Sequence, residues 1–146
     1  MYERESIEKL MQDLFMLKSV HETGETYYNK TKIWNQKDYG WHNPLFPPEY
    51  RRCCLNEKKF QMDASCDLYY LMACYYEKIT GRKAPNNFEI NRLWKDYVVQ
   101  HTSDWLPVYQ TAWIHLIEDC TRWQNKYRIQ NAMELLNTKE TKILNS

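Results

Sequence analysis

Ile7, Leu10, Leu14 and Leu17 recur at spacings of 3, 4 and 3, flanked by Met11 and Phe15. That spacing places them on one face of an α-helix. Glu3, Glu5 and Glu8 lie near the positive end of such a helix and Lys18 near the negative end, as the helix dipole favours. Gly24 offers a stop, so the pattern predicts a helix over about 3–21. Further on, Leu68, Leu71, Tyr75 and Ile79 form one stripe, and Tyr69, Met72, Ala73 and Tyr76 fill the other sides. A helix apolar nearly all round belongs at the centre of a fold. Asp63 is its expected N-cap and Gly81 its stop, giving a helix at about 64–80.

Two more helices follow. Asn86-Asn87-Phe88-Glu89 has the form of a capping box with Asn86 as the cap, and Ile90, Leu93, Trp94, Tyr97 and Val98 supply a buried face over about 87–99. Ser103 or Asp104 is then expected to cap a helix in which Trp105, Tyr109, Trp113, Leu116, Cys120, Trp123 and Tyr127 follow at helical spacing. After Tyr127 the stripe changes phase. Ile129, Met133 and Leu136 continue it, but Ile129 sits about 200° around the helix from Tyr127. Either the helix breaks near 125–128 or two of its faces are covered. A shorter helix over about 48–58 is expected from Pro48, which suits a first helical position. The tail 137–146 has only Ile143 and Leu144 as apolar anchors and is expected to fray.

Residues 22–48 carry no helical stripe. They hold Gly24, Gly40, Pro44, Pro47 and Pro48 together with Tyr27, Tyr28, Trp34, Tyr39, Trp41 and Phe46. A connection this long without structure of its own is uncommon and usually functional or mobile. Its rings would be costly to leave in water, at ~1.5–3 kcal/mol per apolar side chain, so the segment is expected to lie pinned across the helices. The picture is an all-α, compact, single-domain bundle of four to five helices over residues 1–146. A long aromatic-rich connection joins the first helix to the second, and the helices at 64–80 and 104–127 form the central pair.

Composition supports this. Three glycines and five prolines in 146 residues are less than half the roughly 12% of average usage. That argues against all-β folds and against a Gly-rich phosphate loop. Hydrophobic residues at 43% and aromatics at 15% argue against wholesale disorder. A chain of this length buries roughly two-thirds of its unfolded surface and needs no metal or disulfide to fold. No apolar run reaches the ~18–20 residues of a membrane span, so no membrane partner is expected. The start Met1-Tyr2-Glu3-Arg4-Glu5 lacks the basic and apolar regions of a secretory signal. With an odd count of five cysteines, reduced thiols in a cytoplasmic compartment are expected.

The net charge of +1 gives no strong field for nonspecific polyanion binding. It is unevenly spread, with net −3 over 1–25, +4 over 26–62, −3 over 101–121 and +3 over 122–146. No nucleophile-elbow, P-loop or dinucleotide-binding motif occurs. His115 and Asp119 stand four apart on one helical face beside Glu118, with His101 and Asp104 nearby in sequence. Two ligands do not make a metal site, and the competing reading is a solvated histidine beside acids. Cys53, Cys54 and Cys66 lack zinc spacing and suit packing better. Cys74 and Cys120 lie on apolar faces. No cofactor and no metal are expected.

The strongest functional signal is the mixture of cations and rings at 26–62. Tyr27, Tyr28, Lys30, Lys32, Trp34, Lys37, Tyr39, Trp41, Arg51 and Arg52 form the candidate partner-binding set. Trp, Tyr and Arg are enriched at protein hot spots. Rings also stack on bases at ~1–3 kcal/mol each while cations answer phosphates. The alternative is a long arm whose rings pack on the bundle and leave lysines in water. A second candidate surface lies past Arg122, where Arg122, Lys126 and Arg128 flank Trp123 and Tyr127, and a second copy of the chain is a candidate partner there. The expectation is a non-enzymatic interaction protein whose partner is another protein, acting as a small regulator, inhibitor or accessory subunit. Chains of this kind are often encoded by phages or other mobile elements, a prior about such chains that no residue here shows. A nucleic-acid binder using the 26–62 arm is the second expectation, and an enzyme or metal protein around His115 and Asp119 the third.

Overall fold

A computed structural model describes residues 2–27, 42–56 and 62–146. These residues form α1 (Glu3–His21), α2 (Pro48–Leu55), α3 (Ala64–Thr80), α4 (Leu93–His101), α5 (Pro107–Cys120), a 3-10 turn (Asn125–Tyr127), α6 (Ala132–Leu136) and α7 (Lys139–Leu144). No β-strand occurs among the described residues, so the fold is mostly helical. None of these helices is long and apolar enough to cross a membrane. Most of the connection between the first two helices, residues 28–41, lies outside the described residues.

Local chemistry accounts for the ends of α1–α3. Glu3 and Glu5 occupy the first turn of α1, and Lys18 and His21 the last. Pro48 opens α2 at a position where its missing N–H costs nothing. The Asp63 carboxylate accepts the Cys66 backbone N–H at the start of α3, and Gly81 ends it at φ 67°. Only glycine takes that left-handed conformation without strain.

Later boundaries move. The residue that caps the 87–90 turn is Asn87, not Asn86, and its Oδ1 accepts from Glu89 N and Ile90 N. The Glu89 carboxylate does not return to the cap. It accepts the Trp123 backbone N–H at 3.0 Å, and the helix begins only at Leu93. Neither Ser103 nor Asp104 caps α5. Leu106 is the N-cap, and its N–H is taken by Glu3 Oε2 from α1 at 2.7 Å. The helix expected to reach Tyr127 ends at Cys120, so the phase change marks a break. The tail expected to fray instead contains α7. Thr138 caps it, accepting from Thr141 N, and Leu144 is fully buried. The two helices after the break account for more helical stretches than the four or five expected.

The main core draws on α1, α3, α4 and α5, with Ile129, Ala132, Leu135 and Leu144 from the C-terminal stretch. α3 and α5 pack together, α4 packs on both, α7 on α5, and α6 on α1. Much of the core is aromatic. Phe88 meets Tyr69, Tyr76 and Trp94 edge-on at centroid distances of 6.1, 5.7 and 5.5 Å. Edge-to-face pairs of this kind contribute ~0.5–1.5 kcal/mol beyond burial. Trp94 Nε1 donates to the Phe88 carbonyl at 2.8 Å, which ties the 87–92 turn to α4. Between α3 and α5, Tyr75 and Trp113 lie 5.4 Å apart, and the Tyr75 hydroxyl donates to Asp13 on α1 at 2.6 Å. A smaller cluster of Phe46, Tyr50 and Cys54, with Met62 and Tyr70, seats α2.

Gly81→Ala should lower stability by about 1–2 kcal/mol, because a Cβ there meets no atom within 4 Å and only the backbone conformation is strained. Chemical denaturation of the two proteins measures it, and an unchanged midpoint contradicts the assignment of Gly81 as the cap of α3.

Candidate functional site

Of the ten residues singled out for partner binding, Tyr28, Lys30, Lys32, Trp34, Lys37, Tyr39 and Trp41 lie outside the described residues. Tyr27 is half-buried and packs against the main core, and its backbone N–H donates to Asp67 Oδ2 at 2.8 Å. Arg51 and Arg52 project from α2 toward a residue of the second candidate surface. Their guanidinium carbons lie 5.8 and 5.9 Å from the centre of the Trp123 ring. The structure therefore joins at Trp123 two stretches that are 71 positions apart in sequence.

What brings them together is Arg128. It was expected on the surface beside Trp123 and Tyr127, but its side chain has no solvent exposure. Nη1 and Nη2 donate to the two oxygens of Glu49 at 2.6 and 2.7 Å. Nε donates to the Arg122 carbonyl at 2.6 Å, and Nη2 also to the Trp123 carbonyl at 3.0 Å. The guanidinium also lies 4.9 Å from the Tyr69 ring centre. Only a planar fork can serve a carboxylate bidentately while its Nε reaches a third acceptor, so Lys cannot replace it. Past the end of α5, Ile129 N returns to the Asp119 carbonyl at 3.3 Å. The chain from 121 to 129 is thus a loop closed on its own arginine.

A second polar tie runs alongside. Asn125 Nδ2 lies 2.7 Å from Asp63 Oδ2, 2.8 Å from Ser65 Oγ and 3.2 Å from Glu49 Oε2. Ser65 Oγ donates to Asp63 Oδ1. Burial raises the Asp63 pKa, but the hydrogen bonds from Ser65, Asn125 and Cys66 outweigh it and leave the carboxyl below its ordinary range. Arg51 donates from Nη2 to the Asn86 carbonyl at 2.8 Å, and burial lowers its pKa from the usual arginine value. α2, the turn at 86–92 and the 121–125 loop therefore meet around Trp123.

Beside this junction is a notch of about 240 Å³ lined by Phe88, Ile90, Arg92, Lys95, Glu118 and Arg122 among others. Lys95 and Arg122 are paired with Glu118, and Arg122 also with Asp119. Burial first, then the Lys95 hydrogen bond, act on Glu118 in opposite directions, and the net result is a lowered pKa. Arg52 and Arg92 are exposed and have no carboxylate partner among the described residues. Tyr127 is 64% exposed, with Lys126 Nζ 5.1 Å from its ring centre.

No protein-family model matches the chain, and no curated protein or solved structure is detectably similar to it.

The histidine and cysteine candidates go separate ways. His115 Nδ1 lies 3.5 Å from Glu140, whereas Asp119 faces Arg122, so the two expected ligands do not converge. Among the described residues no three His, Cys, Asp or Glu side chains group as a metal site. All five cysteines are free thiols. Burial pushes up the thiols of Cys54, Cys66, Cys74 and Cys120, that of Cys74 to about 11, which suppresses the nucleophilic thiolate. One histidine contact was not expected. His21 Nε2 lies 2.7 Å from the fully buried Asp67, while Nδ1 accepts the Ala132 N–H at 3.1 Å. With Nδ1 accepting, the ring proton sits on Nε2 and is donated to Asp67. That side chain fastens the end of α1 to α3 and to the start of α6. Nothing in its local sequence announces the role.

Arg128→Met should cost about 3–5 kcal/mol by stranding Glu49 and two carbonyls. Adding Glu49→Leu should recover part of that loss, as read from urea denaturation of both variants. A double variant no more stable than Arg128→Met would mean the carboxylate is not the cost. The lowered Asp63 pKa has a signed consequence. Its stabilising contribution is complete above the ~3.9 of an unfolded aspartate and is lost as pH falls through the lower folded value. Asp63→Asn keeps a capping side chain, so its melting temperature should fall less steeply than that of wild type between about pH 5 and pH 2. Parallel curves would contradict this.

Proposed function

We propose that the chain is a non-enzymatic interaction protein, a single helical domain working as a regulator, inhibitor or accessory subunit in the cytoplasm. It docks on another protein through the surface where Arg51 and Arg52 meet Trp123. The observation that carries this reading is the unequal treatment of charge at that surface. Glu49, Asp63, Glu89, Glu118 and Asp119 are all engaged by groups of the chain itself. Arg52 and Arg92 are exposed and meet no carboxylate among the described residues; Arg52 lies over the Trp123 ring, and Arg92 Nε donates to the Glu89 carbonyl at 3.5 Å. Arginines next to a half-exposed tryptophan make the residue mixture that concentrates binding energy at protein interfaces. Arg51 and Arg52 come from the basic aromatic stretch 26–62.

A nucleic-acid partner is the second reading. It draws on Lys126 beside the exposed Tyr127 ring, a cation and a stacking platform together.

Affinity capture with the tagged full chain from a lysate of its source cell should retain a partner in stoichiometric amount. Trp123→Ala, checked for an unchanged melting temperature, should lose it. A wild-type chain that retains no stoichiometric partner overturns the reading. A retained partner that nuclease treatment releases moves it to nucleic acid.

A further inference from the structure

Resting on that reading, we infer that the partner presents an acidic polypeptide segment with neighbouring apolar residues, bound across Arg52, Trp123 and Arg92. Three features of the junction point this way.

The first is connectivity. Asn86 accepts from Arg51, and Glu89 accepts from the backbone of Trp123. Arg92 lines the same notch as Arg122, the neighbour of Trp123. Arg52 and Arg92 therefore stand on one continuous surface built from α2, the 86–92 turn and the 121–125 loop.

The second is chemistry. The two cations without a carboxylate partner among the described residues, Arg52 and Arg92, are guanidinium forks, which take carboxylates bidentately. Next to them, Ile90 is 80% and Leu93 57% exposed. These large aliphatic side chains suit an apolar residue of a peptide and offer no ring for a base. The notch, at about 240 Å³, falls below the ~300–1,000 Å³ of small-molecule sites and fits a peptide side chain better than a cofactor.

The third feature weighs against a phosphate backbone. Glu118, Asp119, Glu89 and Asp63 are interspersed among the cations. A chain bearing a charge at every residue would meet them as well as the arginines. A peptide can place its carboxylates only where the arginines are. Trp123 also already has two guanidinium groups within 6 Å of its ring centre, which competes with base stacking.

The test uses the purified full chain at low salt. Probes are a fluorescein-labelled dodecapeptide of glutamate with two leucines, its glutamine counterpart and labelled dodecathymidylate, followed by anisotropy. The glutamate peptide should bind at least about ten-fold more tightly than either other probe, and added salt should weaken it. Arg52→Glu and Arg92→Glu should each reduce that binding by about ten-fold with unchanged melting temperature. Lys139→Glu, an exposed charge on α7, should leave it unchanged. Equal binding of the glutamate and glutamine peptides, absence of binding, or indifference to both arginine reversals would overturn the inference. Preference for dodecathymidylate would overturn it in favour of nucleic acid. A stoichiometric protein partner still captured through Trp123 would leave the broader reading standing when the inference fails.

Discussion

A guanidinium group without solvent cannot be left unpaired, and the second half of this fold is arranged around that requirement. Arg128 has to find acceptors in the interior. It finds the Glu49 carboxylate from α2 and two carbonyls from the chain just ahead of it. Each acceptor fixes a different part of the molecule. The carboxylate holds α2 against the body, where its apolar support among the described residues is Phe46, Tyr50 and Cys54 with two neighbours. The carbonyls hold the loop that follows α5. Such a pair gives weak net stability, because two desolvated charges offset much of their mutual attraction. What it supplies is position. Losing either partner leaves a buried charge, so the loop and α2 hold one arrangement relative to each other.

The same group explains where the sequence pattern stops being informative. The stripe from Trp105 to Tyr127 has helical spacing throughout, yet the α-helix runs only from Pro107 to Cys120. Periodicity reports which residues share a face if the helix continues; it carries no information on whether it continues. No glycine or proline marks the end at Thr121. The stop comes from Arg128 drawing the 122 and 123 carbonyls to itself, and from Ile129 turning back to Asp119. Boundaries set by neighbours in sequence were readable, as with Asp63 and Gly81 around α3. Boundaries set at a distance were not. Leu106 is capped by Glu3, 103 residues away, and the Glu89 side chain that looked like half of a capping box serves Trp123 instead.

The candidate site was legible in halves. Cations interleaved with rings drew attention to 26–62, and the same composition drew attention to the stretch past Arg122. Neither stretch says that the other is its neighbour. The contact of Arg51 and Arg52 with Trp123 is a product of the Glu49–Arg128 tie, a pairing 79 positions apart. A positive count over 122–146 also treats Arg128 as equivalent to Arg122 and Lys126, though it is spent inside the protein. His21 and Asp67 show the converse. Neither has a motif, and the pair matters because α1, α3 and α6 converge at one point.

Net charge conceals this sorting. A chain at +1 looks nearly neutral, but the fold gives its acids and its cations different duties. Asp67 is fully buried between His21 and the Tyr27 backbone. Asp13 takes the Tyr75 hydroxyl, and Glu49 takes Arg128. Carboxylates suit these inward duties because each oxygen accepts from more than one donor, as Asp67 Oδ2 does from His21 and Tyr27. Cations have fewer inward uses, since backbone carbonyls are mostly satisfied within helices. The fully buried charges among the described residues are one of each sign, Asp67 and Arg128, and around the Trp123 junction Asp63 and Glu89 are exposed together with Arg52 and Arg92. What the fold decides there is pairing: Asp63 and Glu89 accept from Asn125 and the Trp123 backbone, while neither arginine meets a carboxylate among the described residues.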